Sequence, residues 1–285
     1  MKDQKKDHTV SDGIGLLILL TVVLTGLHGL ASIAFLIIIS RLNFGRDPGK
    51  KHGVSSGASR LGGLAILFSL LSGIALNTFI SGNLDYEAIT DELSTIMFFS
   101  ILVGLVGLIE DFKQSLSSLF RLIVITLIIM ASLAITKSLL PDKLNFFFYI
   151  DGPLKEITLF LFTTIMVVGF INAGNIADGA NGLLSLSYLA FFYCIHTIDP
   201  SIFHLSLIIS LVIFIIYNIG TGKVFLGDFG AYFLSTLVAF SSLEVYQNYE
   251  VSVFLLAALL VYPCFEITRS LIFRFLNKAS IMGPD

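Results

Sequence analysis

Nine apolar runs along this chain of 285 residues constrain its fold more than any other feature. They are continuously apolar, without the alternation of polar and apolar residues typical of a membrane β-barrel, and they cross or nearly cross a hydrocarbon core of ~30 Å as helices. Only 13% of the residues are charged, whereas soluble domains carry about a quarter. We therefore expect an all-α fold, a polytopic transmembrane helical bundle of about nine spans that forms a single domain over residues 1–285. The predicted spans are 14–39, 61–80, 93–109, 119–140, 157–171, 183–198, 203–219, 231–245 and 251–273.

Lysine and arginine residues are distributed unevenly between the two sets of alternate loops. One set holds 11 of them and the other holds 6, and cytoplasmic loops of membrane proteins carry the excess of positive charge. This bias predicts an N-terminus outside and a C-terminus in the cytoplasm. The set assigned to the cytoplasm comprises Arg41, Arg46, Lys50, Lys51, Arg60, Lys113, Arg121, Lys223, Arg269, Arg274 and Lys278.

Four polar clusters interrupt the apolar background, and the predicted topology places all four on the cytoplasmic face. Carboxylates at a membrane edge are costly to desolvate and tend to pair, bind a metal or face water. An oxygen-rich set without histidine or thiolate is typical of Mg²⁺ or Mn²⁺, and Mg²⁺ usually completes its shell with substrate phosphates. We therefore expect a phosphorylated ligand, with Arg60, Lys113 and Lys223 as its counter-charges. The clusters are His52 with residues 60–63, residues 107–113, residues 172–183, and Asn218 with residues 223–230.

Each cluster taken alone also has a purely structural interpretation. Glu110 and Asp111 are compatible with a solvated loop, and Arg60 with an anchor for a helix end. Gly179 and Gly182 are compatible with turn positions of positive φ. Because the four clusters share one face, a common binding site is the favoured interpretation.

Three segments of these clusters carry a family resemblance. INAGNIADGANGL (171–183) is similar to the pattern N-x-x-N-x-x-D-G-x-[DN]-G-L, and KVFLGDFGAYFL (223–234) is similar to K-[IV]-F-[LM]-G-D-x-G. GLIEDFKQSLSSLFRL (107–122) is similar to a loop that usually reads Asp-Asp. With these segments the chain resembles the polyprenyl-phosphate N-acetylhexosamine-1-phosphate transferases of glycosyltransferase family 4, from Arg60 to Asp285.

The sequence departs from the family pattern in three places. Glu110 stands where the first aspartate is usual, so the charge is kept on a longer side chain, and Asp111 is retained. The stretch before Arg60 lacks the usual prolines. After a Pro-Asp pair like Pro284-Asp285, the family continues into a His-x-His segment, a cytoplasmic loop and a final span, which we expect this chain to lack.

The resemblance implies transfer of N-acetylhexosamine-1-phosphate from a UDP-sugar to undecaprenyl phosphate, with release of UMP, as the first membrane step of a cell-envelope glycan such as O-antigen. It implies Mg²⁺ (or Mn²⁺) as cofactor, and a multi-pass location in the bacterial inner membrane with the active site on the cytoplasmic face. No nucleic-acid partner is expected, and a homodimer stays open. The implied residues are Glu110, Asp111, Asp178 and Asp228 for catalysis; Arg60, Lys113, Asn172, Asn181 and Lys223 for substrate binding; and Asp228, Asn175 and Asp178 for the metal.

Two other function classes remain open. A secondary transporter also carries carboxylates within the membrane, although its sites lie near the midplane rather than at one face. An inactive membrane scaffold derived from the enzyme is the second alternative, because the resemblance stops before the family's last segment.

Overall fold

The computed structural model describes residues 26–42, 45–46, 57–81, 91–113, 116–141, 155–179, 182–249 and 251–277. Within these residues the regular structure is helical. It includes two isolated β-bridges but no β-strand, so the predicted all-α class is confirmed. A single 3-10 turn, Lys137–Leu139, follows the fourth helix. The helices are α1 Gly26–Arg41, α2 Gly62–Ser81, α3 Asp91–Lys113, α4 Ser118–Ile135, α5 Lys155–Ala177, α6 Leu183–Ile198, α7 Ile202–Thr221, α8 Gly227–Asn248, α9 Val253–Leu259 and α10 Val261–Leu276.

Each predicted apolar run overlaps one described helix, except the last, which overlaps two. Residues 14–25 of the first predicted run lie outside the described residues. Six described helices are long and apolar enough to cross a membrane, and a seventh span results if α9 and α10, bent by 70° at their junction, are counted as one. The described helices α1 and α6 are apolar but shorter. The polytopic bundle is thus confirmed, whereas the count of nine spans and the orientation of the termini stay predictions.

The predicted boundaries next to the polar clusters are wrong in an informative way. The third and fifth runs were expected to end at residues 109 and 171, but α3 continues to Lys113 and α5 to Ala177. The eighth run was expected to begin at residue 231, but α8 begins at Gly227. Polar side chains do not stop a helix, because its backbone groups are hydrogen-bonded within it. The residues expected in loops after these runs therefore begin in the last helical turns.

Helix α8 lies at the centre of the bundle. It packs against α3 and α5 most extensively, and also against α2 and α6. Its side chains are buried along nearly the whole length, including Phe229, Tyr232, Phe233 and Phe240. The N-terminus of α8 therefore lies deep among the ends of other helices, and this arrangement positions the candidate site.

Candidate active site

Five charged side chains meet where the ends of five helices converge. We call them the carboxylate–arginine cluster: Arg60 before α2, Asp111 in the last turn of α3, Arg121 in the first turn of α4, Asp178 directly after α5, and Asp228 in the first turn of α8. The residues are far apart in sequence, and only the helical packing brings them together.

Backbone hydrogen bonds hold Arg60 beside the start of α8. The N–H of Ser59 donates to the carbonyl of Lys223 (2.9 Å), and the N–H of Phe225 donates back to the carbonyl of Ser59 (2.7 Å). The ladder continues into α2, where the N–H of Gly62 donates to the carbonyl of Phe225 (2.9 Å). Two segments about 165 residues apart thus form one parallel bridge.

Gly227 permits the closest approach in the site. Its φ of +77° lies in the left-handed region, and a Cβ at this position would overlap the carbonyl oxygen of Arg60. Any other residue would push α8 away from the segment that carries Arg60. Position 227 therefore requires glycine for geometric reasons. This position directly precedes Asp228 of the cluster.

Asp228 pairs with two arginines. Its Oδ1 lies 2.9 Å from Nη2 of Arg60, and its Oδ2 lies 3.2 Å from Nη1 of Arg121. The three side chains are 11–17% exposed, so each ion pair is shielded but not sealed from water. Removing one partner of a shielded pair leaves a charge uncompensated, which costs more than the pair itself contributes.

Asp178 adds a further carboxylate to this group. Burial raises the pKa of its carboxyl well above the ordinary value, and the charges of Asp228 and Asp111 raise it further. The guanidinium of Arg60 and a hydrogen bond from the N–H of Gly227 oppose this shift. Three carboxylates face two guanidinium groups, so the cluster carries an excess of negative charge when all are ionised.

The remaining predicted site residues lie around the cluster. Glu110 is half-buried, and its Oε2 accepts a hydrogen bond from the N–H of Leu116 (2.9 Å). Lys113, at the end of α3, and Lys223, before α8, are both exposed. Asn175 is half-buried in the last turn of α5.

Asn172 and the glycines of the same segment have local roles. Nδ2 of Asn172 donates to the carbonyl of Val168 in its own helix (2.8 Å). Gly182 has the positive φ (+75°) considered from the sequence and precedes α6, whereas Gly179 does not have one. Asn181, the other predicted contact to the nucleotide sugar, lies outside the described residues.

Arg121 is the charged residue that sequence reasoning missed. It entered the prediction only through the count of positive charges, yet it pairs with Asp228. The available signal was a single arginine inside the apolar run Ser118–Ile135, where an unpaired charge is costly. A charged residue in such a run predicts a partner of opposite charge nearby.

A divalent cation is compatible with the donor groups present. Within the described ranges, no group of three or more His, Cys, Asp or Glu side chains is arranged to hold a metal. Mg²⁺, however, usually takes only one or two carboxylates and completes its shell with water and phosphate oxygens. Asp228 and Asp178 meet that requirement, since they are close enough for the charge of Asp228 to raise the pKa of the Asp178 carboxyl.

Comparison with known proteins places this site in a family context. The model of glycosyl transferase family 4 matches residues 93–246, more than half of the chain, and includes every member of the cluster except Arg60. The chain is similar to proteins named phospho-N-acetylmuramoyl-pentapeptide-transferase. The relative from Staphylococcus carnosus is 26% identical over 87% of this chain and 88% of its own length. That from Enterococcus faecalis is 31% identical over 75% and 68%. For the Streptococcus pneumoniae relative, 29% identical, the match spans 70% of this chain and 63% of that protein.

Proposed function

Because the chain belongs to glycosyl transferase family 4, we propose that it transfers a sugar-1-phosphate from a UDP-sugar to undecaprenyl phosphate and releases UMP. The relatives named above are transferases of a phospho-sugar, which supports this reaction class. We further propose an N-acetylhexosamine as the sugar and a cell-envelope glycan as the pathway. The observation that carries the proposal is the carboxylate–arginine cluster, which meets at one end of a membrane-length bundle.

The reaction is a phosphoryl transfer between two anions. An oxygen of the lipid phosphate forms a bond to the phosphorus that bears the sugar, and the bond from that phosphorus to the oxygen of UMP breaks. Repulsion between the two anions and the charge on the leaving UMP are the main obstacles, and fixed cations relieve both. The same bonds are formed and broken overall whether the reaction proceeds in one displacement at phosphorus or in two.

The proposed cofactor is Mg²⁺, or Mn²⁺ in its place. Asp228 and Asp178, with the amide of Asn175, would hold it, and when bound it would neutralise charge on the pyrophosphate. The negative charge that the cluster would carry in excess with all three carboxylates ionised supports this assignment, because a bound cation would favour ionisation of Asp178. In this proposal Arg60 and Lys223 contact phosphate oxygens.

The other predicted residues have proposed roles at the edge of the site. Lys113 and Lys223 are exposed and free to reach a phosphate that approaches from water. Asn172 and Asn181 are proposed to bind the nucleotide sugar, and Glu110 to orient the lipid phosphate. We place the site on the cytoplasmic face of a bacterial inner membrane, where a water-soluble UDP-sugar has access. A homodimer is compatible with this arrangement.

The test is UMP release by the purified protein from a panel of UDP-N-acetylhexosamines. Each donor is assayed with and without undecaprenyl phosphate, and with and without Mg²⁺. Release that needs both the lipid and the metal supports the proposal and identifies the sugar. If all donors fail, sealed vesicles discriminate the alternatives, because a transporter shows flux without UMP and a scaffold shows neither.

A further inference from the structure

Asp111 is the most deeply buried charged residue of the cluster. Its side chain is 0% exposed, and both of its oxygen atoms accept hydrogen bonds from backbone groups. The N–H of Asp228 donates to Oδ1 (3.0 Å), and the N–H of Phe229 donates to Oδ2 (2.9 Å). A carboxylate that is enclosed and bonded in this way has no free face for a substrate.

These bonds cap the N-terminus of α8 from another helix. The first N–H groups of a helix have no partner within it, and they favour a negative charge nearby. The residue at the N-cap of α8, Leu226, has a side chain that makes no capping hydrogen bond. Asp111 accepts hydrogen bonds from the N–H groups of Asp228 and Phe229 and so takes the place of a capping side chain.

The capping carboxylate also contacts the arginine that pairs with the side chain of Asp228. Asp111 binds the backbone of Asp228, and its Oδ1 lies 3.4 Å from Nε of Arg60. The same guanidinium places Nη2 on Oδ1 of Asp228. One buried carboxylate thus contacts both the backbone of Asp228 and the arginine that binds its side chain.

We propose that Asp111 is a positioning residue that caps α8 and orients Asp228, and that Glu110 is the member of this acidic pair that meets the substrate. This inference rests on the function proposed above. Glu110 is half-buried rather than enclosed, and one of its oxygens accepts the Leu116 N–H. The two adjacent carboxylates therefore divide structural and chemical roles between them.

Two isosteric variants, Asp111→Asn and Glu110→Gln, test this division. Asparagine offers one acceptor oxygen in place of two and cannot pair with Arg60 by charge, so Asp228 loses its orientation. For Asp111→Asn we expect kcat to fall by about 100-fold with both KM values nearly unchanged, and the Mg²⁺ concentration for half-maximal rate to rise. For Glu110→Gln we expect the larger change in the KM for undecaprenyl phosphate.

The pH profile separates positioning from proton transfer. A phosphate monoester has a second pKa near 6, so at high pH the lipid phosphate needs no proton acceptor. If Asp111 accepted that proton, Asp111→Asn would recover towards wild-type rates as the pH rises from about 6 to about 9. A positioning residue predicts the same fractional loss at every pH, and recovery would overturn the proposal.

Hydrogen exchange gives a readout that is independent of turnover. In Asp111→Asn the amides of residues 228 and 229 should exchange about tenfold faster than in the wild type, whereas Glu110→Gln should leave them protected. Unchanged exchange in Asp111→Asn would refute the cap. Faster exchange together with a wild type that releases no UMP would keep the cap and refute the proposed function.

A second variant covers the case in which Asp111→Asn does not fold. Asp111→Glu keeps the charge and both acceptor oxygens on a longer side chain. We expect the amides of residues 228 and 229 to be partly protected from hydrogen exchange. We expect the rate of UMP release to lie below that of the wild type but above that of a protein in which α8 is not capped. Full wild-type protection and rate would support the cap through the conserved charge, whereas lost protection with a full rate would overturn the coupling between cap and chemistry.

Discussion

Helices α4 and α8 are both long enough to cross the membrane, yet they occupy opposite environments. Helix α4 is among the most apolar of the six long helices, and only 22% of its span is buried within the protein. Helix α8 is the least apolar, and 83% of its span is buried. In a water-soluble protein the more apolar helix would be the more buried one. In a bilayer the lipid accepts apolar side chains as readily as the protein interior does, so burial follows close packing and polar contacts instead.

The composition of α8 explains its central place. Hydroxyl groups of Ser235, Thr236 and Ser242 bond carbonyls one turn earlier in their own helix, which lets them face neighbours without unsatisfied groups. Ser235 also bonds the hydroxyl of Tyr188 on α6 (2.7 Å). Small and hydroxyl-bearing residues allow helices to approach closely, whereas α4 presents Ile123 and Leu127 outward.

The largest expected effect concerns the charged end of α8. Asp228→Asn removes a charge that two arginines and the proposed cation share, while membrane insertion should stay normal. We expect UMP release to fall by about 10³-fold. The matched control is Lys137→Gln, an exposed charge at the far end of α4, which should leave the rate unchanged. Retained turnover in Asp228→Asn would refute the metal assignment.

A pair of identical truncations tests the contrast between the two helices directly. Leu237 on α8 is fully buried, whereas Leu127 on α4 is 61% exposed. Leu237→Ala should destabilise the protein by about 3 kcal/mol, because the surrounding structure cannot fill the cavity. Leu127→Ala should have little effect, since lipid chains fill the space. The measurement is unfolding by SDS in mixed micelles, followed by circular dichroism, and equal losses would contradict the burial contrast.

Two glycines of α5 offer a finer comparison on a single helix. A Cβ on Gly174 would overlap Oγ of Ser235 and crowd the hydroxyl of Tyr188, whereas nothing lies within 4 Å of a Cβ on Gly169. Gly174→Ala should destabilise the protein by about 2 kcal/mol. Gly169→Ala should be neutral or stabilising by up to about 1 kcal/mol, because alanine is the better helix former. The same unfolding assay decides, and a neutral Gly174→Ala would show that α5 and α8 pack less closely than described.

The smallest effect is expected at a polar contact between α1 and α2. Nε2 of His28 lies 2.7 Å from the carbonyl oxygen and 3.0 Å from Oγ of Ser69, and Oγ of Ser32 donates to the same hydroxyl (2.8 Å). Ser69→Ala should cost about 0.6 kcal/mol, a typical value for such bonds within a membrane. The control is Ser242→Ala, whose hydroxyl donates to the carbonyl of Val238 in its own helix and lies outside this contact. A loss above about 2 kcal/mol would show that this contact rivals the packing of α8.

Much of the architecture could be predicted from local sequence, because a membrane span is recorded in the residues that form it. The apolar runs located the helices, and the motifs around Asp111, Asp178 and Asp228 located most of the cluster. Arg121 was missed because a single arginine in an apolar run has two interpretations, a cytoplasmic charge that sets the topology and a partner for a carboxylate of the site. The capping role of Asp111 could not be predicted, since it depends on which helix end lies opposite, and no local pattern specifies that.

The order of the helices along the chain has a consequence for synthesis. Asp111 is made long before Gly227, whose helix supplies the N–H groups that satisfy this carboxylate. Chains grow from the N-terminus, so every nascent protein passes through a stage in which α2, α3 and α5 are present without their central partner. A product that stalls at this stage keeps a carboxylate without its capping partners at the membrane edge, which is costly. The carboxylate–arginine cluster can therefore take its native form only once α8 has been made.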